Sequence, residues 1–299
     1  MPLKVLKNET AAALTLEWVL HVKNYKLVLD RNLCVGCEIC SFACPKEAIC
    51  LVKQPKNSGG KAQKAKVDIA IEKCNFCGIC DILCPYGAIK VTVNGNHVLS
   101  VVEKESFPQL IREIQVDSSK CPPECVECEE ACPLGLIKVT CITPDGKKVD
   151  DLNSLGAYER SWVKVNLDID EDKCPACRIC EFKCPEGAIH VRKIFYGKIR
   201  INQDKCPEGC RDCVDVCPIT GALYVGDDGR VYVNEPYCVY CGACKVVCPA
   251  EGALELVRTR VMHTPVKSGA WNKALERISS PLEMSKELKA KGSFRAIDS

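Results

Sequence analysis

The chain has 299 residues, of which 26 are cysteine and only 6% are aromatic, so it is short of the large side chains that usually fill the core of a protein of this length. No stretch approaches 18 apolar residues and the segment 11–22 has no clear cleavage signal, so we expect neither a transmembrane helix nor a signal peptide. The formal charge of +2 argues against nucleic-acid binding, and in the cytoplasmic protein that we expect, so many cysteines are more typical of metal binding than of disulfides.

Residues 1–30 precede the first cysteine group and alternate between apolar and polar side chains. The segments LTLEWVLHV and YKLVLD predict a β-hairpin with its turn near Asn24. We expect this hairpin to cover the first cysteine-rich module as an added edge of its sheet. A docking arm for a partner protein is the alternative.

Six groups of four cysteines make up the central part of the chain, and each group ends in Cys-Pro. Four groups read C-x2-C-x2-C-x3-C-P, and the third and fifth groups have three residues in the first gap. In chain order the groups span residues 34–44, 74–84, 121–132, 174–184, 206–217 and 238–248. This is the spacing of bacterial ferredoxins, in which three cysteines bind one [4Fe–4S] cluster and the fourth binds the other cluster of a pair. Zinc is the alternative, but structural zinc sites usually present two separated ligand pairs, and none of the four histidines joins a group.

Because the fourth cysteine of each group needs a second cluster, the six groups should pair into three modules. Groups three and four repeat the gap pattern of groups five and six, and each of these pairs is joined by a strand, an Asp-Gly turn and a second strand. This favours consecutive pairing, while a module of groups four and five nested between groups three and six is the alternative. Consecutive pairing predicts six sites for six [4Fe–4S] clusters: site 1a (Cys34, Cys37, Cys40, Cys84), site 1b (Cys74, Cys77, Cys80, Cys44), site 2a (Cys121, Cys125, Cys128, Cys184), site 2b (Cys174, Cys177, Cys180, Cys132), site 3a (Cys206, Cys210, Cys213, Cys248) and site 3b (Cys238, Cys241, Cys244, Cys217).

Each Cys-Pro is followed by a similar tail, such as CPYGAIKVT, which predicts a turn and then a short strand. Five of the tails have a glycine at the turn, which suits a backbone that passes close to a cluster, and the first tail has Glu47 there. The two cysteines outside the groups, Cys50 and Cys141, lie on these predicted strands. We interpret both as free thiols, and exchange with a cluster ligand is the alternative.

A lysine-rich segment follows the first group. Residues 53–66, KQPKNSGGKAQKAK, contain five lysines and two glycines. We interpret this segment as a solvated loop, and a docking patch for an acidic partner is the alternative.

The end of the chain is basic and contains no cluster cysteine. WNKALERISS and PLEMSKELKAKG predict two short amphipathic helices, the second starting at Pro281. Trp271, Leu275 and Ile278 should lie near one face of the first helix. That face either packs on the last module or binds a partner subunit.

The sequence carries no recognisable catalytic constellation. It has no phosphate-binding loop and no dinucleotide fingerprint. The first three cysteines of groups three and five match the radical-SAM spacing, but their fourth cysteine continues the ferredoxin run. The function that remains is electron conduction through clusters in modules laid end to end. A scaffold in which the clusters only staple the chain is the non-redox alternative, and in either case the chain without clusters should be largely unfolded.

These observations predict an α+β fold of three tandem bacterial-type 2[4Fe–4S] ferredoxin modules with short strands and one-turn helices. The modules are expected at residues 31–100, 117–195 and 201–257. An N-terminal hairpin or docking arm occupies residues 1–30, and a basic helical tail occupies residues 258–299.

The six cysteine groups, which cover about residues 31–257, resemble those of the methanogen polyferredoxins. The segment VRTRVMHTPVKSGAWNKALERISS is similar to the tail of the polyferredoxin subunit of formylmethanofuran dehydrogenase. The chain departs from the well-known members in the number of its cysteine groups, which is six where they have eight. The resemblance implies a subunit that passes low-potential electrons to a catalytic subunit reducing CO2, with a heterodisulfide reductase or a hydrogenase as the source. A polyferredoxin of an energy-converting hydrogenase and a free electron carrier are the alternatives.

Overall fold

Short strands and one-turn helices alternate along the chain, which the computed structural model describes for residues 3–149, 154, 156, 162–266 and 268–280. The helices are α1 (Ile39–Ala43), α2 (Ile79–Ile82), α3 (Ser100–Glu103), α4 (Glu127–Ala131), α5 (Ile179–Lys183), α6 (Asp212–Asp215), α7 (Ala243–Val247) and α8 (Gly269–Ile278). The strands are β1 (Lys4–Glu9), β2 (Ala13–Val19), β3 (Asn24–Asp30), β4 (Ile49–Val52), β5 (Lys66–Ile69), β6 (Ile89–Val93), β7 (Glu113–Val116), β8 (Ile137–Ile142), β9 (Lys148–Val149), β10 (Lys164–Ile169), β11 (Ile189–Arg192), β12 (Phe195–Ile201), β13 (Leu223–Val225), β14 (Val231–Val233) and β15 (Leu254–Val261). The predicted α+β class with tandem ferredoxin modules is confirmed.

In every group, the turn that leads from the third cysteine to the fourth forms a helix of four or five residues. Cys44, which follows α1, has an extended backbone with φ −70° and ψ 112°. Cys132 and Cys184 leave α4 and α5 in the same way. The proline that follows each of these cysteines explains the conformation, because proline disfavours the helical region for the residue before it. The helix therefore ends at the fourth cysteine.

The same strand pairing recurs three times. Inside each module a hairpin lies between the two cysteine groups, formed by β4 with β5, β8 with β10, and β13 with β14. A second antiparallel pair joins the strand before the first group to the strand after the second group, and consists of β3 with β6, β7 with β11, and β12 with β15. Groups three and four thus lie within one module, and groups five and six lie within the next. Consecutive pairing is therefore found, and the nested alternative is wrong.

The predicted N-terminal hairpin forms from β2 and β3 and belongs to the sheet of the first module. The strand order is β1, β2, β3, β6, and all neighbours are antiparallel. Leu14, Leu16, Leu27 and Leu29 point from β2 and β3 into the core and are at most 1% exposed. The additional strand β1 was not predicted, because its sequence KVLKNE has no clear alternation of apolar and polar residues. In the structure all its side chains are exposed. It forms the edge of the sheet.

The first module contacts both of the other modules, so the expected end-to-end arrangement is wrong. A cleft at the junction is lined by residues of all three modules, among them Tyr86 from the first, Leu134 from the second and Val216 from the third. One continuous apolar core also contains buried residues of each module. The three modules therefore meet around one point, and none lies only between the other two.

The helix α8 packs on the first module, although it follows the third in the sequence. The predicted apolar face is confirmed, since Trp271 and Leu275 are fully buried and Ile278 is 4% exposed. The indole of Trp271 meets the ring of Phe107 edge-on at 6.1 Å between centroids. The helix therefore packs on its own chain, but the predicted packing on the last module is wrong in its partner, since the helix lies against α1 of the first module. The second predicted helix, from Pro281 onwards, lies outside the described residues.

The strands that close the modules begin before the expected module bounds. β7 starts at Glu113 rather than at 117, and β12 starts at Phe195 rather than at 201. At the other end, β15 runs on to Val261, past the expected bound at 257. Among the described residues, no helix is long and apolar enough to cross a membrane.

Candidate metal centres

Three cavities lie at the positions predicted for sites 1b, 2b and 3b. The four cysteines of each predicted site line one cavity together: Cys44, Cys74, Cys77 and Cys80; Cys132, Cys174, Cys177 and Cys180; and Cys217, Cys238, Cys241 and Cys244. The remaining walls of the three cavities are mostly apolar. The fourth cysteine comes from the other group of the same module in every case.

The cysteines of sites 1a, 2a and 3a also approach one another as expected. The pKa of Cys121 is raised mainly by burial and secondly by the thiol of Cys184. Burial likewise raises the pKa of Cys84, and the thiol of Cys34 adds to the rise. In site 3a the pKa of Cys206 is raised by burial and by its neighbours, which include Cys248. In each site the cysteine from the distant group is thus close to the others.

The sites suit a positively charged core. Burial, with the neighbouring thiols, raises the pKa of Cys180 to about 12 and that of Cys177 to about 11. Thiolates in such surroundings need a cation, because an isolated buried negative charge is strongly destabilising. Within the described part of the chain, no three His, Cys, Asp or Glu side chains converge on the position of a single metal ion. The four cysteines of sites 1b, 2b and 3b each surround a cavity, which suits a multi-iron core.

Backbone amides already point at the fourth cysteine in four of the six groups. The residue four positions after this cysteine donates its N–H to the Sγ atom at 3.2–3.4 Å, and the donors are Ala48, Ala88, Leu136 and Ala188. The last two tails have one extra residue, and there the Cys217 and Cys248 thiols donate instead to the carbonyls of Ile219 and Ala250, each at 3.4 Å. The N–H donors favour a negatively charged sulfur and would stabilise ligated thiolates.

The glycine turns of the tails have the expected left-handed backbone, and Glu47 shares it. Its φ is +51°, close to the +58° of Gly87 and Gly187. The Glu47 carboxylate lies 3.4 Å from the guanidinium of Arg277 in α8. The glutamate in a glycine position thus contacts the C-terminal helix.

Among the side chains that connect the modules, Arg112, Lys193 and Tyr86 each lie next to cysteines of two different modules. Arg112 donates hydrogen bonds to the carbonyl of Cys84 in site 1a at 3.0 Å and to that of Cys174 in site 2b at 3.3 Å. Lys193 follows β11 of the second module, and its ammonium donates to the carbonyl of Cys238 in site 3b at 2.9 Å. Burial lowers the pKa of Lys193. Sites 1a, 2b and 3b therefore face the middle of the molecule.

Tyr86 makes the third connection, between sites 1a and 3b. Its side chain is 2% exposed, and its hydroxyl has no hydrogen-bond partner within normal distances. Burial, followed by the nearby Cys241 of site 3b and Cys37 of site 1a, raises the pKa of the hydroxyl well above its ordinary value. The hydroxyl is thus held against the cysteines of two modules.

Sequence reasoning missed a recurring carboxylate in groups two, three and four. The acidic residue directly after the third cysteine accepts a hydrogen bond from the backbone N–H ten residues later: Asp81 from Val91, Glu129 from Val139 and Glu181 from Val191, at 2.7–3.2 Å. Each contact ties the cysteine helix to the strand that follows it. The sequence pattern that could have revealed this contact is the acidic residue directly after the third cysteine, which recurs in these three groups.

The lysine-rich loop is largely exposed, as the solvated-loop interpretation predicts, but it also makes specific contacts with its own chain. We call residues 53–65, between β4 and β5, the lysine strap. The ammonium of Lys56 lies 2.6 Å from the carboxylate of Asp212 in α6, and Lys53 donates to the carbonyl of Cys248 at 3.1 Å. The backbone N–H of Ala62 donates to Asp215 at 3.2 Å. The strap therefore reaches from the first module to site 3a of the third.

The two cysteines outside the groups are far less alike than expected. Cys50 is exposed on β4, as its strand position predicts. Cys141 on β8 is buried, and its thiol donates to the carbonyl of Pro123 at 3.1 Å. Neither lines one of the three cysteine cavities.

Models of known families match three parts of the chain. Two matches are to a 4Fe-4S dicluster domain, at residues 33–88 and 198–249. The third is to a 4Fe-4S binding domain at residues 167–190. Each matched part contains at least one of the cysteine groups.

Related proteins match only part of the chain in sequence. The polyferredoxin-like subunit of an aliphatic sulfonate oxidoreductase from Pyrococcus furiosus is 39% identical over 106 residues, which are 31% of this chain and 57% of that protein. The polyferredoxin MvhB from Methanothermobacter marburgensis is 32% identical over 110 residues, which are 33% of this chain and 24% of that protein. The chain thus spans well under two thirds of either relative.

One solved structure matches almost the whole chain. It is a chain in the formate dehydrogenase–heterodisulfide reductase–formylmethanofuran dehydrogenase complex from Methanospirillum hungatei. The two chains are 30% identical, the match covers 94% of this chain and 92% of that chain, and the TM-score is 0.79. The arrangement of all three modules is therefore shared, and not only the fold of each one.

Proposed function

We propose that this chain, which belongs to the polyferredoxin-like 4Fe–4S proteins, carries low-potential electrons through six [4Fe–4S] clusters inside an oxidoreductase complex. The observation that carries the proposal is the convergence of the four predicted cysteines on each of three separate cavities. The 24 grouped cysteines would hold the clusters as sites 1a to 3b. A [4Fe–4S] cluster stores one electron with little change in structure.

In the proposed arrangement, three of the six sites lie where the modules meet, and each module has one further site, which we call its outer arm. Arg112, Lys193 and Tyr86 hold sites 1a, 2b and 3b against one another across the module contacts. Sites 1b, 2a and 3a lie one step further out in their modules. Site 2a and site 3a each have partly exposed cysteines, such as Cys125 and Cys210. Electrons would enter and leave at these outer sites and cross between the modules at the centre.

Buried and half-buried cations offset part of the negative charge of the sites. Four thiolates and a core of about +2 leave a net charge of about −2 on each oxidised cluster. Arg112 and Lys193 lie between sites, where they act on two of them at once, and Arg258, 3% exposed, donates to the carbonyls of Tyr240 and Cys241 at 2.8 and 2.7 Å. Such charges and hydrogen bonds tune the reduction potentials.

We further propose that the complex is of the formylmethanofuran dehydrogenase kind, in which the chain would supply electrons for the reduction of CO2. The match over nearly the full length to a chain of the complex from Methanospirillum hungatei supports this assignment. Partners would then include a formylmethanofuran dehydrogenase and a heterodisulfide reductase or a hydrogenase, in the cytoplasm. The proposed subunit would have no catalytic site of its own.

Two measurements on protein purified without oxygen test these proposals. Six clusters require about 24 iron and 24 sulfide per chain and negligible zinc, and dithionite should bleach the visible spectrum. Several zinc ions with little sulfide, or a spectrum that dithionite leaves unchanged, would contradict the electron-transfer function. Purification from the native cells at high salt then identifies the complex. Co-purification of a hydrogenase alone would point to an energy-converting hydrogenase, and an isolated monomer would point to a free carrier.

A further inference from the structure

We propose that the lysine strap raises the reduction potential of site 3a above that of site 2a, so that site 3a is the arm toward which electrons flow. This inference rests on the proposed electron-transfer function. It assigns a direction to the relay and a role to lysines that belong to a different module from the site they act on.

Sites 2a and 3a form a matched pair. Both come from groups with three residues in the first gap, and both carry acidic residues at the same two positions. Glu127 and Asp212 directly precede the third cysteine, and Glu130 and Asp215 follow it by two residues. On their own, these carboxylates would lower the potentials of both sites, because they disfavour the more negative, reduced state.

The strap compensates these charges in site 3a. The carboxylate of Asp212 is 9% exposed and pairs with the Lys56 ammonium at 2.6 Å. Asp215 accepts the backbone N–H of Ala62 at 3.2 Å and pairs with Arg211 of its own module at 2.9 Å. The Lys53 ammonium is bonded to the carbonyl of Cys248, the fourth cysteine of the site, at 3.1 Å.

Site 2a has no such compensation within the described part of the chain. Glu127 and Glu130 form no ion pair and no side-chain hydrogen bond with another described residue. Adding one electron changes the charge of a four-thiolate cluster from about −2 to about −3. A nearby ammonium group stabilises the more negative state, so the site with the strap should accept an electron more readily.

Contacts at two points of the lysine strap hold it in place beside site 3a. Asn57 closes a turn by accepting the N–H groups of Gly59 and Lys61 at 3.0 and 2.9 Å. At the other end, the backbone of Ala65 lies directly over Gly36 in the loop of site 1a, where a Cβ atom would come within 2.4 Å of the Ala65 oxygen. The strap therefore spans two cluster loops of different modules.

The test is a potentiometric titration of the full-length, cluster-loaded protein, followed by EPR, with Lys56→Gln and Lys53→Gln as variants. In each variant, the midpoint reduction potential of one of the six proposed clusters should become lower. Lys61→Gln is the matched control, because this exposed lysine lies in the same strap and its ammonium forms no hydrogen bond or ion pair with a described residue. The double variant Lys56→Gln/Asp212→Asn should move the midpoint back up. Glu127→Gln should raise a different midpoint, which identifies site 2a.

The sign of the shift separates the proposal from a merely structural role. If the strap only covered site 3a, its loss would admit water, which stabilises the more negative state and raises the midpoint. An unchanged or raised midpoint in both Lys56→Gln and Lys53→Gln would overturn the proposal. Iron and sulfide are counted in the same samples. A wild-type protein without about 24 of each would contradict the proposed function instead of the role of the strap.

Discussion

The guanidinium of Arg258 lies 3.6 Å from the carboxylate of Glu38, and this contact joins the third module to the first. The arginine side chain is 3% exposed and the glutamate side chain 13%. The same guanidinium donates to the carbonyls of Tyr240 and Cys241 and, at 3.1 Å, to that of Ile278 at the end of α8. One buried side chain thus connects both modules, the loop of site 3b and the C-terminal helix.

Replacing Arg258 by alanine should destabilise the folded protein by about 3–5 kcal/mol, because it leaves a poorly exposed carboxylate and several carbonyls without their partner. The measurement is anaerobic thermal unfolding of the cluster-loaded protein. Arg260→Ala is the control, since this arginine lies on the same strand with an exposed side chain. Equal stability of the two variants would contradict the role of Arg258.

Tyr86→Phe should lower one midpoint potential without loss of iron. The hydroxyl is held beside Cys241 and has no closer hydrogen-bond partner among the described residues, so the ligated Cys241 sulfur is the acceptor that we expect. A hydrogen bond to a cluster sulfur stabilises the reduced state. Redox titration of the variant checks this, with Tyr224→Phe, an exposed tyrosine of the third module, as the control. Six unchanged midpoints would show that the hydroxyl does not act on a cluster.

Gly36→Ala should reduce the iron content of the purified protein. The residue has φ +69°, and a Cβ atom would lie 2.4 Å from the backbone oxygen of Ala65, so the loop of site 1a or the strap would have to move. Gly187→Ala is the matched control, because it has φ +58° but nothing within 4 Å of its Cβ position. The control should lose only about 1 kcal/mol of stability. The test is iron analysis of both variants. Equal iron contents would contradict a functional role for the close approach of Gly36 to the backbone of Ala65.

Removal of iron with a chelator should unfold most of the chain. Three apolar cavities between the helices and strands of the modules would lose the clusters that we propose they hold, and the buried or half-buried thiols of the groups would lose their partners. Far-UV circular dichroism and limited proteolysis follow the change. The sheet of β1, β2 and β3, with its buried leucines, should be the last part to be cleaved. A chelated protein with an unchanged spectrum would show that the side chains alone hold the fold.

The cysteine spacing was sufficient to predict which four residues surround each cavity, because the spacing is set by the geometry of the ligand itself. The contacts between modules could not be predicted in the same way. Arg112, Lys193 and Tyr86 meet cysteines that are distant in sequence, and nothing in their local pattern indicates the partner. The strap shows the same limit, since its lysines are exposed as the sequence predicts, but nothing in their pattern indicates that Asp212 lies opposite Lys56. The amphipathic pattern around Trp271 did predict a buried face, but not that the first module covers it.

The position of α8 has a consequence for biosynthesis. This helix covers α1 and is among the last described parts of the chain to leave the ribosome, so the surface beside site 1a stays open while the second and third modules are being made. Delivery of iron and sulfide to site 1a can therefore precede closure by the C-terminal helix. The order of translation thus leaves this surface accessible until residues 269–278 have been made.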